Sequence, residues 1–343
     1  MERLSDIDFA PHAAAPLRVL GRAGEQVALA DAEGGLALFD LGARAFVGSI
    51  HGGGPAGDFL VAPGGRMALL SLGSGGRGSI ELVDLERWER RAVVALPGEP
   101  LAGTMTLSPR KDRGAILISV EDGRGRIAVT WWTATFRTLE ARRVPADASA
   151  IAFADGGQAL AVASPSTSEV ILLDLESGRE RSRVGMVGCP FHLSTDPSGG
   201  NLWVLCGSVG HVAVADARAG RVVSRVLLEG LDPSSNRVAF SPEGRLAAVA
   251  EGAGGGVVLL DADPSSPGYG LLVDRLELGR VLSGLAWSPL GDEILVGDAA
   301  LGAVVVLGVD RGTRSLKDTD QYLLEHLREK LELERRKNPL VPP

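Results

Sequence analysis

No stretch of this 343-residue sequence approaches the ~20 consecutive apolar residues that a membrane-spanning helix requires, so helical insertion into a bilayer is excluded. The opening residues, Met1-Glu2-Arg3-Leu4-Ser5-Asp6, lack the apolar core of a secretory signal. Only two cysteines are present, Cys189 and Cys206, which leaves no disulfide framework and leads us to expect a reducing, cytoplasmic location. Positive charge is in deficit. The 35 Lys and Arg stand against 43 Asp and Glu, a formal charge of −8, and this disfavours non-specific binding to nucleic acid. No Walker A, G-x-S-x-G or H-E-x-x-H pattern occurs, so these signatures of nucleotide, hydrolase and zinc-protease sites are missing. Before residue 315 there is also no helical period, and a parallel α/β sheet needs helices between its strands.

What the sequence does have is glycine, 46 residues, and short runs of Ala, Val and Leu cut by Gly, Pro, Asp and Ser. That is the pattern of short strands and tight turns. One phrase recurs: a few alternating apolar residues, then a turn with Pro or Asp and Gly. It reads Phe59-Leu60-Val61-Ala62-Pro63-Gly64-Gly65, Met105-Thr106-Leu107-Ser108-Pro109 and Ile151-Ala152-Phe153-Ala154-Asp155-Gly156-Gly157. It returns as Leu193-Ser194-Thr195-Asp196-Pro197, Val238-Ala239-Phe240-Ser241-Pro242-Glu243-Gly244 and Leu285-Ala286-Trp287-Ser288-Pro289-Leu290-Gly291. The anchors at 63, 109, 155, 197, 242 and 289 are 46, 46, 42, 45 and 47 residues apart. In each turn Pro presets φ and Gly accepts φ > 0, joining two antiparallel strands. A second apolar strand follows, then a third ending in Asp (Asp40, Asp84, Asp174, Asp216, Asp261), whose carboxylate is placed to accept N–H groups of the next turn. A fourth strand runs away, as in Arg221–Val226.

Four strands per 40–47 residues is the period of a β-propeller blade. The expected fold is all-β, a seven-bladed β-propeller over residues 1–314, with residues 4–9 completing a last blade that otherwise lacks a fourth strand. Phe240-Ser241-Pro242-Glu243-Gly244-Arg245, followed by Val257-Val258-Leu259-Leu260-Asp261, resembles the repeat of the YVTN and WD40-like bacterial β-propellers, as does Val170-Ile171-Leu172-Leu173-Asp174. The resemblance covers about residues 15–310. It implies a fold more than a function: the Trp-Asp dipeptide of eukaryotic WD repeats is absent, since neither Trp131-Trp132 nor Trp203 precedes Asp.

Residues 315–343 differ in composition. Asp318-Thr319-Asp320 offers N-caps, and Gln321–Lys337 has no Gly or Pro, which predicts an α-helical extension. Leu324, Leu327 and Leu331 form one stripe with Leu323 at its margin, suited to the propeller rim or to a partner. A proline-rich tail follows from Pro339.

Candidate chemistry is sparse. Gly73-Ser74-Gly75-Gly76-Arg77-Gly78 matches G-x-G-x-x-G but leads into a strand rather than a helix, so it reads as a blade loop. Cys189/His192 and Cys206/His211 are two Cys/His pairs, yet their C-x2-H and C-x4-H spacings are unusual for zinc and Cys206 ends an apolar strand. We expect no cofactor and no metal. Arg77, Arg124, Arg126, Asp31, Glu121, Glu251 and Asp298 fall between second and third strands on one common face, where they read as solvated turn residues of mixed sign. Within them Arg77, Arg124 and Arg126, on adjacent blades, are the candidates for contact with an acidic partner. The expected function is a non-catalytic scaffold that docks proteins through this face and through Leu323, Leu324, Leu327 and Leu331. The alternatives are a lactonase-like propeller enzyme or small-ligand sensor, and a structural subunit of a larger bacterial assembly.

Overall fold

The computed structural model describes residues 1–8, 18–23, 26–30, 36–43, 45–50, 55–62, 66–87, 89–120, 125–208, 210–228, 231, 237–252, 255–298, 300 and 303–309. They form seven antiparallel sheets, each built from one consecutive stretch of chain: 18–50, 56–96, 99–144, 150–185, 189–227, 238–277 and 282–308, the last joined by residues 2–8. These are blades 1 to 7, and their strands are first to fourth from hub to rim. The chain is thus an all-β, seven-bladed propeller. The predicted helix at 315–343, with Leu323, Leu324, Leu327 and Leu331, lies outside the described residues. Among the described residues no helix is long and apolar enough to cross a membrane.

Among the described residues seven apolar clusters hold the blades, one at each contact between neighbouring blades. Ala28 and Leu38 of blade 1 pack with Leu70 and Val83 of blade 2, while Val27 and Leu29 pack with Leu295 and Val304 of blade 7. Successive side chains of a strand point to opposite faces, and here both faces meet another sheet. That is why a middle strand reads as an unbroken apolar run: Leu202-Trp203-Val204-Leu205-Cys206 is fully buried. The fourth strands are half in water and do alternate, as in Arg221–Leu227, where exposed and half-buried residues take turns. The fourth strand of blade 7 comes from the other end of the chain, Glu2–Asp8 pairing antiparallel with Ala303–Gly308.

The repeated turn has a chemical fastening. Ser241 N–H donates to the Leu246 carbonyl, Gly244 N–H donates to the Ser241 carbonyl, and Ser241 Oγ accepts the Leu246 N–H. Ser108 and Ser288 do the same in blades 3 and 7, and the Asp196 carboxylate replaces the hydroxyl in blade 5. The residue that closes the turn is left-handed: Gly199, Gly244 and Gly291 have φ of 76°, 73° and 70°. In blade 3 the same place is taken by Lys111, with φ 55°. A side chain there costs about 1 kcal/mol, partly offset by the greater freedom of glycine in the unfolded chain. Lys111→Gly is therefore expected to stabilise the protein by at most about 0.5 kcal/mol. A urea titration checks this; a lowered midpoint would mean that the lysine side chain outweighs its own backbone strain.

The predicted carboxylates also cap the third-to-fourth turns. Asp84 accepts the Glu86 and Arg87 N–H groups, Asp174 those of Glu176 and Ser177, and Asp216 those of Arg218 and Ala219. Each fourth strand then skips one residue of register: Val47, Arg91, Leu139, Arg181, Val223 and Val273, with Leu4 in the closing strand. Such bulges twist an open edge away from further strand pairing, so the rim of every blade carries a guard against edge-to-edge aggregation. In blades 2 and 4 the bulged residue is an arginine that folds back on the turn. The Arg91 guanidinium, at 3.0 Å, holds the Asp84 carboxyl below its ordinary range. The Ser177 N–H and then Arg181 do the same to Asp174.

Candidate interaction face

Antiparallel alternation brings the second-to-third turns and the fourth-to-first connections to one end of the blades, here the upper face. The hub is built differently from the sequence expectation. The sequence pattern of blade 3 predicts one first strand at Met105–Leu107. Instead only Glu99–Pro100 and Thr106–Leu107 pair with the second strand, Arg113–Ser119. The backbone between them bends away because its N–H groups have another acceptor. Gly103, Thr104 and Met105 all donate to the Asp58 carboxylate of blade 2, at 2.9–3.2 Å. Gly103 adopts φ 83° to make this possible. Thr104 Oγ1 accepts the Leu117 N–H and donates to the Leu101 carbonyl, which repairs the interrupted ladder. Arg237, at the start of blade 6, reaches Asp58 at 3.2 Å. Blades 2 and 6 stand almost opposite one another in a ring of seven, so this ion pair crosses the hub. His192 of blade 5 lies near Arg237, its Nε2 buried without a hydrogen-bond partner. Burial, assisted by the Arg237 charge, pushes the imidazole down to about 3, so it is neutral at physiological pH.

Two of the carboxylates expected as solvated turn residues are instead fully buried. Glu251 pairs with Arg275 at 2.9 Å and Asp298 with Arg280 at 3.3 Å. Sequence position alone suggested exposure. What buries them is a neighbouring guanidinium that satisfies the charge away from water. Glu81, in the third strand of blade 2, is a third such case. Burial pushes its carboxyl up and Arg90 at 2.8 Å opposes the shift. Asp31, Glu121 and Arg124 lie outside the described residues.

The two cysteines do not meet. In blade 5 Cys189 stands opposite Gly207 and Pro190 opposite Cys206, so the cysteine side chains leave opposite faces of the sheet. Cys189 is exposed and Cys206 buried, its thiol pushed up to about 12 by that burial. His211 stands directly across from Cys206, buried and shifted down by desolvation, with neither ring nitrogen hydrogen-bonded. Among the described residues no three His, Cys, Asp or Glu side chains converge to hold a metal. The glycine-rich motif is a hairpin, as its neighbours implied. Gly75 and Gly76, with φ 61° and 80°, form a two-residue turn between Met67–Ser74 and Arg77–Asp84.

Arg77 and Arg126 open the third strands of blades 2 and 3 and so hold equivalent places on the upper face. Arg77 is exposed. Arg126 lines a cleft of about 340 Å³ with Arg143, Val120, Ile127, Val144 and Ala146. Neither arginine has an acidic partner among the described residues. Arg143 escaped the sequence reading because its place depends on the bulge at Leu139. With that skip, Ile127 faces Arg143; without it, Ile127 would face Arg142. Arg142 instead turns to the carbonyls of Leu175 and Glu176 in blade 4. A second cleft, about 560 Å³ on the lower face between blades 4 and 5, is internally compensated. There Arg218 and Arg181 both bind Asp155 at 3.0 Å.

These features define a class of protein, a seven-bladed β-propeller. A solved structure, described as the crystal structure of the Myceliophteria thermophila Cps50 (Swd1) beta-propeller domain, superposes on it with a TM-score of 0.68. The two chains are 15% identical, and the match covers 90% of this chain and 99% of that one. No protein-family model and no curated protein matches the sequence. Likeness at this identity concerns the fold, which hosts many unrelated functions.

Proposed function

We propose that the protein is a non-catalytic interaction scaffold, a cytoplasmic bacterial propeller of the YVTN kind that docks proteins on its upper face. In this reading Arg77, Arg124 and Arg126 meet an acidic partner, and a helix bearing Leu323, Leu324, Leu327 and Leu331 adds a second contact. The observation that carries the proposal is the Asp58–Arg237 pair across the hub. A propeller enzyme needs convergent, available acids and bases at the channel mouth. Here Asp58 is consumed by three N–H groups and a guanidinium, and Glu251 and Asp298 by arginines. Those carboxylates serve the fold, which leaves the face suited to contact rather than turnover.

Affinity purification of the full chain from its native cell tests this. A partner is expected in near-stoichiometric yield, reduced when the chain ends at residue 314. Recovery of the protein alone, together with lactone hydrolysis or a bound chromophore, would favour the enzyme reading and remove the scaffold.

A further inference from the structure

We propose that the upper end of blade 5, where it packs on blade 4, is a buried site for a soft monovalent metal ion, copper(I). The Cys206 thiolate, a ring nitrogen of His211 and the Met186 thioether hold it. The inference goes beyond the scaffold reading and does not depend on it.

An imidazole without partners is the first argument. His211 is 2% exposed, yet neither ring nitrogen makes a hydrogen bond, not even with the thiol across from it. A buried polar group in that state is costly, and native structures as a rule supply it with a protein partner, a water or an ion. Burial lowers the imidazole, so it is neutral and has a lone pair to offer a metal.

Placement is the second argument. Cys206 stands directly across from His211, so both side chains leave the same face of the sheet, with Cβ atoms roughly 5 Å apart. That face is the one turned to blade 4. Cys206, Ala213 and Ala215 share an apolar cluster with Val170, Val184 and Met186, whereas Val212 and Val214 pack on the blade 6 side. Met186 extends the fourth strand of blade 4 at its upper end, its N–H donating to the Ser168 carbonyl. Val184, two residues earlier, faces the same way. A thiol, an imidazole and a thioether thus come to the upper end of one buried interface.

The donor set selects the ion. Thiolate and thioether are soft ligands that favour copper(I). Structural zinc takes four ligands from Cys, His and carboxylates, and among the described residues not even three such side chains converge. Charge points the same way. Binding releases the thiol proton to solvent and leaves a thiolate, which a monovalent cation neutralises. A divalent ion would leave net positive charge in an apolar setting, on the face where Arg225 stands across from Ala213.

The test uses the full-length C189S protein, so that the exposed Cys189 thiol contributes nothing. It is titrated without oxygen with copper(I), in competition with a chromophoric copper(I) chelator, and separately with zinc. One copper ion per chain is expected, bound at least a hundredfold more tightly than zinc. The X-ray absorption spectrum of the loaded protein should show one nitrogen and two sulfur neighbours. C206A is expected to abolish binding, H211A to weaken it at least tenfold and M186L about tenfold. M186L nearly conserves the volume of the buried side chain, and the spectrum needs no variant at the site, so both readouts stand where C206A or H211A does not fold. The proposal is overturned by the absence of competitive copper binding, or by binding in the wild type that C189S removes. Zinc bound as tightly as copper(I), a spectrum without a nitrogen neighbour, or indifference to M186L also overturns it. A buried water beside His211 in place of the metal would give the first of these results.

Discussion

Asp58→Ala is expected to destabilise the protein by about 3–5 kcal/mol, as is usual when one member of a buried charged network is removed. The carboxylate is 2% exposed and is the shared acceptor for the N–H groups of Gly103, Thr104 and Met105 and for the Arg237 guanidinium. Alanine leaves all of them facing a dry hole. Arg237→Met is the informative comparison. It removes the guanidinium but leaves the carboxylate with three donors, so the expected cost is only about 1 kcal/mol. The asymmetry follows from which partner is left unsatisfied. Urea midpoints of the two variants at constant slope measure it. Equal losses would show that the ion pair, rather than the backbone N–H groups, anchors the bend at 101–105.

Gly284→Ala is expected to cost about 4 kcal/mol or to prevent folding, through strain and overpacking acting together. Gly284 has φ 70°, and a Cβ built on it would lie 2.1 Å from the Val19 carbonyl oxygen and 3.1 Å from its carbon. Both obstacles are backbone, so no rotamer change relieves them. The contact is between the first strands of blades 7 and 1, where the ends of the repeat array meet to close the ring. Gly185→Ala is the control: nothing lies within 4 Å of its would-be Cβ. Its midpoint should move by no more than about 0.5 kcal/mol. A tolerated Gly284→Ala would mean that the two blades slide past one another freely.

Much of the repeat was readable because its determinants are local. Ser241-Pro242-Glu243-Gly244 encodes its turn within four residues, and Asp174 or Asp216 caps the turn that follows it within three. The apolar runs report burial on both faces whatever lies beyond them.

What escaped the sequence depends on partners far along the chain or on a one-residue shift of register. The Asp58–Arg237 contact joins residues 179 apart, and nothing beside either residue announces the other. Glu251 and Asp298 occupy turn positions that suggest exposure, but Arg275 and Arg280 neutralise them away from water. The bulge at Leu139 decides which of two adjacent arginines stands beside Ile127 and which binds the next blade. Turn chemistry and strand burial thus belong to the sequence itself, since they act over a few bonds. The Asp58–Arg237 pair across the hub and the burial of Glu251 and Asp298 belong to the folded ring, since they arise only where distant strands are brought together.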